Sequence, residues 1–374
     1  MSLNIALACG GTGGHVMPGL ATASVLRARG HAITLWLTGR DTEKKSIEAW
    51  DGEIVRVPAE GFPTQFSLKG LRSGWKLWKA AGTCRRAMRE NRPDALLAMG
   101  SFASVGPILA ARRWRVPYVL HEANVLPGRA VRLFARGAKA VACSFEETRY
   151  YMPGKNVQLT GMPLRRELDP SIRHDPPDLP NRDRFTLLVM GGSSGAHTLN
   201  DRVTEALGEV ARRGAAVQVI HLSGVQDENW VRERYLDAGI PCLVQAFANK
   251  VSALYQAADL AVCRAGASTC AELSLFGVPS LMVPYPYAAN DHQTANARAL
   301  EKAGAADVVS EKDLSVPWLV DYLMESLRNP RRLARMSAAL KARTPGNAAE
   351  RLADMIEQAA LENKANSSEA PVDV

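Results

Sequence analysis

This chain lacks the marks of several common protein classes. No apolar run reaches the roughly 18 residues that a membrane-spanning helix requires. The start, MSLNIALACGG, has no basic segment ahead of its apolar residues, so it reads as a first strand and not as a secretory signal. Six cysteines (Cys9, Cys84, Cys143, Cys242, Cys263 and Cys270) are scattered without any C-x-x-C pair. Several sit in apolar strand-like runs, which favours buried thiols in a reducing cytoplasm over disulfides or zinc ligands. The histidines show no zinc spacing either. Two nucleotide fingerprints fail as well. The loop GGTGGH has no Lys-Ser/Thr after it, so it is not a Walker A loop. Val16 stands where G-x-G-x-x-G would place its third glycine, so a dinucleotide dehydrogenase is poorly supported.

What remains is an ordinary globular composition, 47% hydrophobic and 22% charged. A length of 374 residues favours two domains over one. Residues 4–9 read as a strand, 16–29 as a helix and 33–37 as a strand. DALLAMG, ASVGPILAARRW, PYVLHEAN, GRAVRLFARGA and AVACS continue the alternation, which argues for a parallel sheet with helices on both faces. The polar, proline-rich DPSIRHDPPDLPNRDR breaks the pattern. FTLLVMGGSSGAHTLNDRVTEAL then restarts it, and QVIHLSG, CLVQAFA, DLAVCRAG and PSLMVPYP supply further strands. The expected organisation is an N-terminal domain over 1–164 and a C-terminal domain over 165–362, with the last helix packing back on the first domain, followed by a disordered tail over 363–374. Charge divides along the same line. Residues 1–160 hold 23 Lys and Arg against 11 Asp and Glu, and residues 161–374 hold 23 against 27, which suggests different partners for the two halves.

Glycines at a strand end let the backbone turn sharply and approach a ligand, and the helix that follows presents unpaired N–H groups and a positive dipole end. GGTGGH and GGSSGA both have this form. A third turn, CRAGASTCAEL, adds Ser268 and Thr269 at a helix start, with Glu272 about a turn further on. That carboxylate suits either the paired hydroxyls of a ribose or a favourable charge near a helix N-terminus. One such loop can be a tight turn and nothing more. Three of them suggest an anion-bearing ligand at the strand C-termini.

Together, GGTGGHVMPGLA, HEANVLPG, TGMPLR, GGSSGA, CRAGASTCAEL and NDHQTANARALEKAGAA resemble the MurG family of glycosyltransferases, over about residues 4–355. The resemblance implies the GT-B fold, an α/β architecture of two Rossmann-like domains with parallel sheets facing a deep cleft. It implies inverting transfer of N-acetylglucosamine (GlcNAc) from UDP-GlcNAc to the C4 hydroxyl of the muramyl sugar of lipid I, forming lipid II for peptidoglycan, with no cofactor. By motif it assigns Thr12, Gly13, Gly14 and Asn124 to the donor site. It also assigns Arg165 to the nucleotide sugar, Ser193 to the diphosphate, the turn Ala267, Ser268, Thr269, Cys270, Ala271 and Glu272 to the nucleotide, with Glu272 on the ribose, Gln293 to the GlcNAc and the backbone of Ala248 to uracil. The chain departs from the family pattern at Ser101 and Phe102, where Gly and Tyr are usual, at Ala123, where Gln is usual, and at Met162, where Asn is usual.

The implied acceptor hydroxyl needs a base as its proton leaves. His15 is the candidate, since neutral imidazole is available near neutral pH. The competing roles are His15 as an orienting group and Glu122 as the proton carrier. His121 would support the site, His292 lies in the donor segment, His221 packs in a strand and His31 lies at the surface. No D-x-D pair is present to hold a metal on the diphosphate, so metal independence is expected. Residues 69–92 carry eight Lys and Arg and one Glu. Leu71, Trp75 and Trp78, with Lys69, Arg72, Lys76 and Lys79, fall at helical spacing, which suits the headgroup region of an anionic membrane or, for the tryptophans, a packed core. No nucleic-acid reader motif accompanies the charge. The expected location is therefore peripheral, on the cytoplasmic face of the bacterial inner membrane. The alternatives are a UDP-GlcNAc 2-epimerase, another GT-B transferase, or a non-catalytic nucleotide-sugar-binding scaffold.

Overall fold

The structure, a computed structural model, describes residues 2–57, 81–172, 174–175, 179, 183–192, 196–248, 250–343 and 345–368, with the backbone alone at 42, 45 and 366–368. The chain forms two compact units, Met1–Arg165 with Pro345–Val374, and Arg166–Thr344.

The first unit is built on β1 (Asn4–Ala8), β2 (Ala32–Leu37), β3 (Glu53–Arg56), β4 (Ala95–Ala98), β5 (Tyr118–Glu122), β6 (Ala140–Cys143) and β7 (Val157–Leu159). They pair in the order β3-β2-β1-β4-β5-β6-β7, every pair parallel. Apolar residues fill successive positions because both faces are covered. Ala6, Ala8, Leu96, Ala98 and Leu120 face one core. Ile5, Leu7, Leu35, Leu97 and Val119 face the other. Around the sheet lie α1 (Gly13–Ala28), α2 (Asp41–Lys44), α3 over residues 81–90, α4 (Val105–Arg113) and α5 (Arg129–Phe134). Helix α1 starts at Gly13, not at Val16, because Thr12 stays extended and both following glycines enter the first turn. Gly19 lets α1 lie close on the sheet, since a Cβ there would stand 2.5 Å from Cys9 Cβ.

The second unit pairs β8 (Phe185–Met190), β9 (Val217–Leu222), β10 (Cys242–Gln245), β11 (Leu260–Cys263), β12 (Ser280–Met282) and β13 (Asp307–Val308) in the order β10-β9-β8-β11-β12-β13, again all parallel. Its helices are α6 (His197–Arg212), α7 (Glu228–Asp237), α8 (Ser252–Ala257), α9 (Ala267–Phe276), α10 (His292–Lys302), α11 (Val316–Arg328) and α12 (Pro330–Arg343). Each sheet has the strand order of a dinucleotide-binding fold, and it reverses direction between β1 and β4 in one unit and between β8 and β11 in the other. Such switch points open a crevice at the strand C-termini.

The last helix, α13 (Ala348–Ser368), belongs to the first unit. Leu352, Ala353, Ile356, Ala359 and Ala360 complete the core shared with Ile5, Leu7 and Leu97. Its helical backbone runs six residues into the segment expected to be a tail, and 369–374 lie outside the described residues. His31 is not the surface group expected of it. Its Nδ1 accepts from the Leu3 N–H (3.2 Å), so its Nε2–H donates to Glu357 of α13 at 2.7 Å. Arg29 pairs with Asp354 and Glu357 on the same helix.

Ile356 is fully buried. Its replacement by Ala should cost about 2–4 kcal/mol of stability in urea unfolding of the whole chain, from lost burial and the cavity left behind.

Candidate functional site

In the first unit the crevice lies between the loops that follow β1 and β4. Thr12 caps α1 in an extended conformation, and its carbonyl accepts from the N–H groups of His15 (2.9 Å) and Val16 (3.1 Å). The Gly13 and Gly14 backbone is exposed beside it. Thr12 Oγ1 lies 3.0 Å from His15 Nδ1. If Nδ1 carries the ring hydrogen and donates to Thr12, the lone pair at Nε2 is left to accept a proton. Desolvation lowers the pKa of the half-buried His15 to about 4, so the ring is neutral near pH 7. His121 behind it is buried and lowered to about 4, first by desolvation and further by His15.

Glu122 ends β5, buried. Burial pushes its pKa up to about 7, against the hydrogen bonds that it accepts from the N–H groups of Asn124 (2.9 Å) and Gly128 (2.8 Å). Both carboxyl oxygens are therefore engaged in holding the loop 123–128, on which Asn124 sits half-buried. The family departures fit locally. Ala123 and Met162 are buried, and Met162 Sδ accepts from Ser144 Oγ at 3.6 Å. Ser101 donates to the Gly10 carbonyl at 2.6 Å, and the Phe102 ring lies 4.7 Å from the Arg40 guanidinium.

In the second unit the crevice lies between the loops after β8 and β11. Helix α9 begins behind Gly266, whose lack of a side chain leaves the first-turn N–H groups uncapped. Ala267, Ser268, Thr269, Ala271 and Glu272 are half-buried. The Cys270 side chain is buried in the core, so that position offers only its backbone. Tyr255 donates to Glu272 Oε2 at 2.7 Å, and its ring stacks on Phe276. Gln293 Oε1 accepts from the N–H groups of Ala265 (3.2 Å) and Tyr285 (2.9 Å), which leaves the Nε2 amide to donate. The segment before α10 holds Asn290 and Asp291 at φ of 54° and 53°, two successive left-handed residues without glycine. Arg264 is buried between the carbonyls of Val283 (3.1 Å) and Pro284 (3.4 Å), pairs with Glu311, and so ties the end of β11 to the end of β12.

Thr12, Gly13, Gly14 and His15 form the cap and first turn of α1, with Glu122 and Asn124 at the end of a strand of the same sheet. Ala267–Glu272 and Gln293 meet through Ala265 in the other unit. Ala248 follows β10 and is half-buried, and Arg165 is the last residue of the first unit's main segment. Ser193 lies outside the described residues, as do Lys69, Leu71, Arg72, Trp75, Lys76, Trp78 and Lys79. Motif reading gave no role to Tyr255, Arg264 or Glu43, a buried carboxylate that accepts from the Gly11 N–H. Their partners are distant in sequence and leave no local pattern.

Known proteins resemble this chain over nearly its whole length. Residues 5–143 match the glycosyltransferase family 28 N-terminal domain, and residues 186–358 match the family 28 C-terminal domain. The chain is 36% identical to the UDP-N-acetylglucosamine--N-acetylmuramyl-(pentapeptide) pyrophosphoryl-undecaprenol N-acetylglucosamine transferase of Geotalea uraniireducens, over 90% of this chain and 96% of that one. The crystal structure of Acinetobacter baumannii MurG superposes with a TM-score of 0.78 at 27% identity, covering 95% of this chain and 99% of that one. A putative UDP-N-acetylglucosamine 2-epimerase from Listeria monocytogenes has a TM-score of 0.67 at 14% identity, covering 100% and 99%, a likeness of fold alone.

If Glu272 meets a ribose, as the family motif implies, Tyr255→Phe should weaken UDP binding by about fivefold in calorimetry, and because the buried hydrogen bond is also lost from the fold itself, it should lower the melting temperature by a few degrees.

Proposed function

The chain belongs to the MurG family of glycosyltransferases and so transfers GlcNAc from UDP-GlcNAc to lipid I, forming lipid II in peptidoglycan synthesis; within that activity we propose that His15 takes the proton of the attacking hydroxyl. The observation that carries the activity is identity of 36% spread over nine-tenths of the chain. The epimerase alternative rests on fold likeness only, and UDP-GlcNAc incubated alone should yield no manno sugar nucleotide.

In the proposed course the C4 hydroxyl of the muramyl sugar attacks the anomeric carbon from the face opposite UDP and inverts it. His15 Nε2 accepts the hydroxyl proton while Nδ1–H is held by Thr12. Glu122 acts as a brace for the loop that carries Asn124. UDP leaves with its added charge held by the N–H groups at the start of α9, by Ser193 and by Arg165. Glu272, oriented by Tyr255, accepts from the ribose hydroxyls, the Ala248 backbone meets uracil, and the Gln293 amide donates to the GlcNAc. The sequence has no D-x-D pair, and these donors supply the field that a metal would otherwise provide, so transfer to a short-chain lipid I analogue is expected to proceed in EDTA.

Among the described residues no helix is long and apolar enough to cross a membrane. The lipid-linked acceptor, together with Leu71, Trp75, Trp78 and their neighbouring basic residues, supports peripheral attachment to the cytoplasmic face of the inner membrane. Described residues add to this charge. Arg85, Arg86 and Arg89 of α3 are exposed, and Trp114 Nε1 donates to the Arg85 carbonyl at 3.2 Å, which brings Arg112, Arg113 and Arg115 alongside. Nothing in this reading calls for nucleic acid.

Three outcomes test the reading. His15→Ala should abolish turnover while UDP-GlcNAc still binds. A base must be unprotonated, so activity falls as pH drops through its pKa. With His15 as base, kcat/KM should hold below pH 6 and fall toward about 4, whereas a Glu122 base would lose activity below about 7. For the membrane patch, changing Trp75 and Trp78 to Ser should reduce co-sedimentation with anionic vesicles at low salt.

A further inference from the structure

The peptide group between Gly10 and Gly11 is gripped at both ends by side chains from two other loops. Its N–H donates to Glu43 Oε1 at 2.7 Å, and its carbonyl accepts from Ser101 Oγ at 2.6 Å. The two grips are built differently. Glu43 is buried, and the same carboxylate collects the N–H groups of Thr38 (3.2 Å), Gly39 (2.7 Å) and Arg40 (3.3 Å) and the hydroxyl of Thr38 (2.5 Å). Burial works against its charge, but these hydrogen bonds hold its pKa below the ordinary carboxylate range, so it stays ionised. Ser101 is also buried. Its oxygen accepts from the Ala103 N–H at 3.1 Å, which leaves its one hydrogen to point at Gly10. Gly11 has φ of +129°, a conformation that residues with a side chain rarely adopt, so this placement of the peptide depends on a glycine at position 11.

The clamped peptide stands immediately before Thr12 and the helix start that carries His15. We propose that Glu43 and Ser101 are positioning residues for the transfer reaction, which together fix the Gly10–Gly11 peptide plane and through it the placement of Thr12 and His15. The proposal rests on the reading that the His15 loop serves catalysis. Ser101 has a particular place in it, because its one hydroxyl hydrogen is directed at the Gly10 carbonyl while its oxygen accepts from Ala103. Glu43 cannot be replaced by its amide without loss. Its five donors converge on two acceptor oxygens, and glutamine would turn an NH2 group toward some of them.

The test uses the full-length chain. Ser101→Ala, Ser101→Thr, Glu43→Gln and the Ser101→Ala/Glu43→Gln double variant are assayed for GlcNAc transfer to a short-chain lipid I analogue, beside UDP calorimetry, melting curves and His15→Ala. Ser101→Ala and Glu43→Gln should each lower kcat by about tenfold, as small misplacements of a catalytic group do. UDP affinity should stay within about twofold, because the proposed nucleotide grip lies in the other unit. Ser101→Thr, which keeps the hydroxyl, should retain most of kcat. The double variant should lose no more than the worse single variant, since both act on one peptide group. Unchanged kcat in a folded Ser101→Ala protein, or losses that multiply in the double variant, would overturn the proposal. If Glu43→Gln does not fold, the Ala and Thr variants at 101 decide the matter alone. If His15→Ala turns over normally while Ser101→Ala is impaired, the base assignment fails, and the clamp stands only in its placement of Thr12 and the start of α1. If His15→Ala collapses and Ser101→Ala is normal, the clamp fails.

Discussion

A parallel strand covered on both faces has no side of its own from which a polar group can reach a ligand. Both sheets are built under that constraint. Ile5, Leu7, Leu97 and Val119 are enclosed on one face of the first sheet, Ala6, Ala8, Leu96 and Leu120 on the other, and Leu187, Val189, Leu260 and Val262 are enclosed in the second. Chemistry is therefore displaced to the strand C-termini, where the ladder ends and the backbone has polar groups to spare. At the switch points two neighbouring strands send their chains to opposite faces, and their loops stand apart. The GGTGGH turn and the CRAGAS turn each lie at such a place.

Loops at these ends must satisfy their own backbone, and a few side chains with acceptor oxygens do this repeatedly. Glu122 gathers the N–H groups of Asn124 and Gly128, and Gln293 gathers those of Ala265 and Tyr285. Asp227 accepts from Asn200 Nδ2 (2.8 Å) and lies 3.1 Å from His197 Nδ1 at the start of α6, the helix that follows the GGSSGA turn. Asn200 in turn meets the buried His221, whose other nitrogen faces Tyr235, an arrangement that burial keeps neutral. Glu122 and Gln293 thus take over the work that a neighbouring strand does in the sheet, and the Asp227 and His221 contacts tie side chains of α6 and α7 to the same loop ends. The loops can then present glycine and uncapped helix N–H groups without collapsing onto themselves.

Most of this architecture was legible in the order of residues. Central strands announce themselves as apolar runs ending in glycine, and helices as the segments between them. The edge strands β3, β7 and β13 did not, since EIVR, VQL and DV are too short and too polar on their outer sides to carry a period. The motif residues were legible for the same reason that the loops are tight: glycine, serine and threonine at a strand end are locally conspicuous. Glu43, Tyr255 and Arg264 were not. Each acts on a partner brought close by the fold alone, and a glutamate in DTEKK looks like any solvated charge until Gly11 is placed against it. Ser101 was visible only as a departure from a pattern, and its purpose needed the Gly10 carbonyl beside it.

Helix α13 is separated from the rest of its unit by the whole of the other one, yet Leu352, Ile356 and Ala360 close the core around Ile5 and Leu97. During synthesis the first sheet must therefore emerge with that face uncovered and wait until the second unit has been made. The second unit has its own enclosed core and needs nothing from α13, so it can complete itself first. The order of folding would then run opposite to the order of translation. The half that carries the GGTGGH loop would close only when the chain is essentially finished, so a product truncated before α13 would hold a complete second unit beside a first unit whose core is still open.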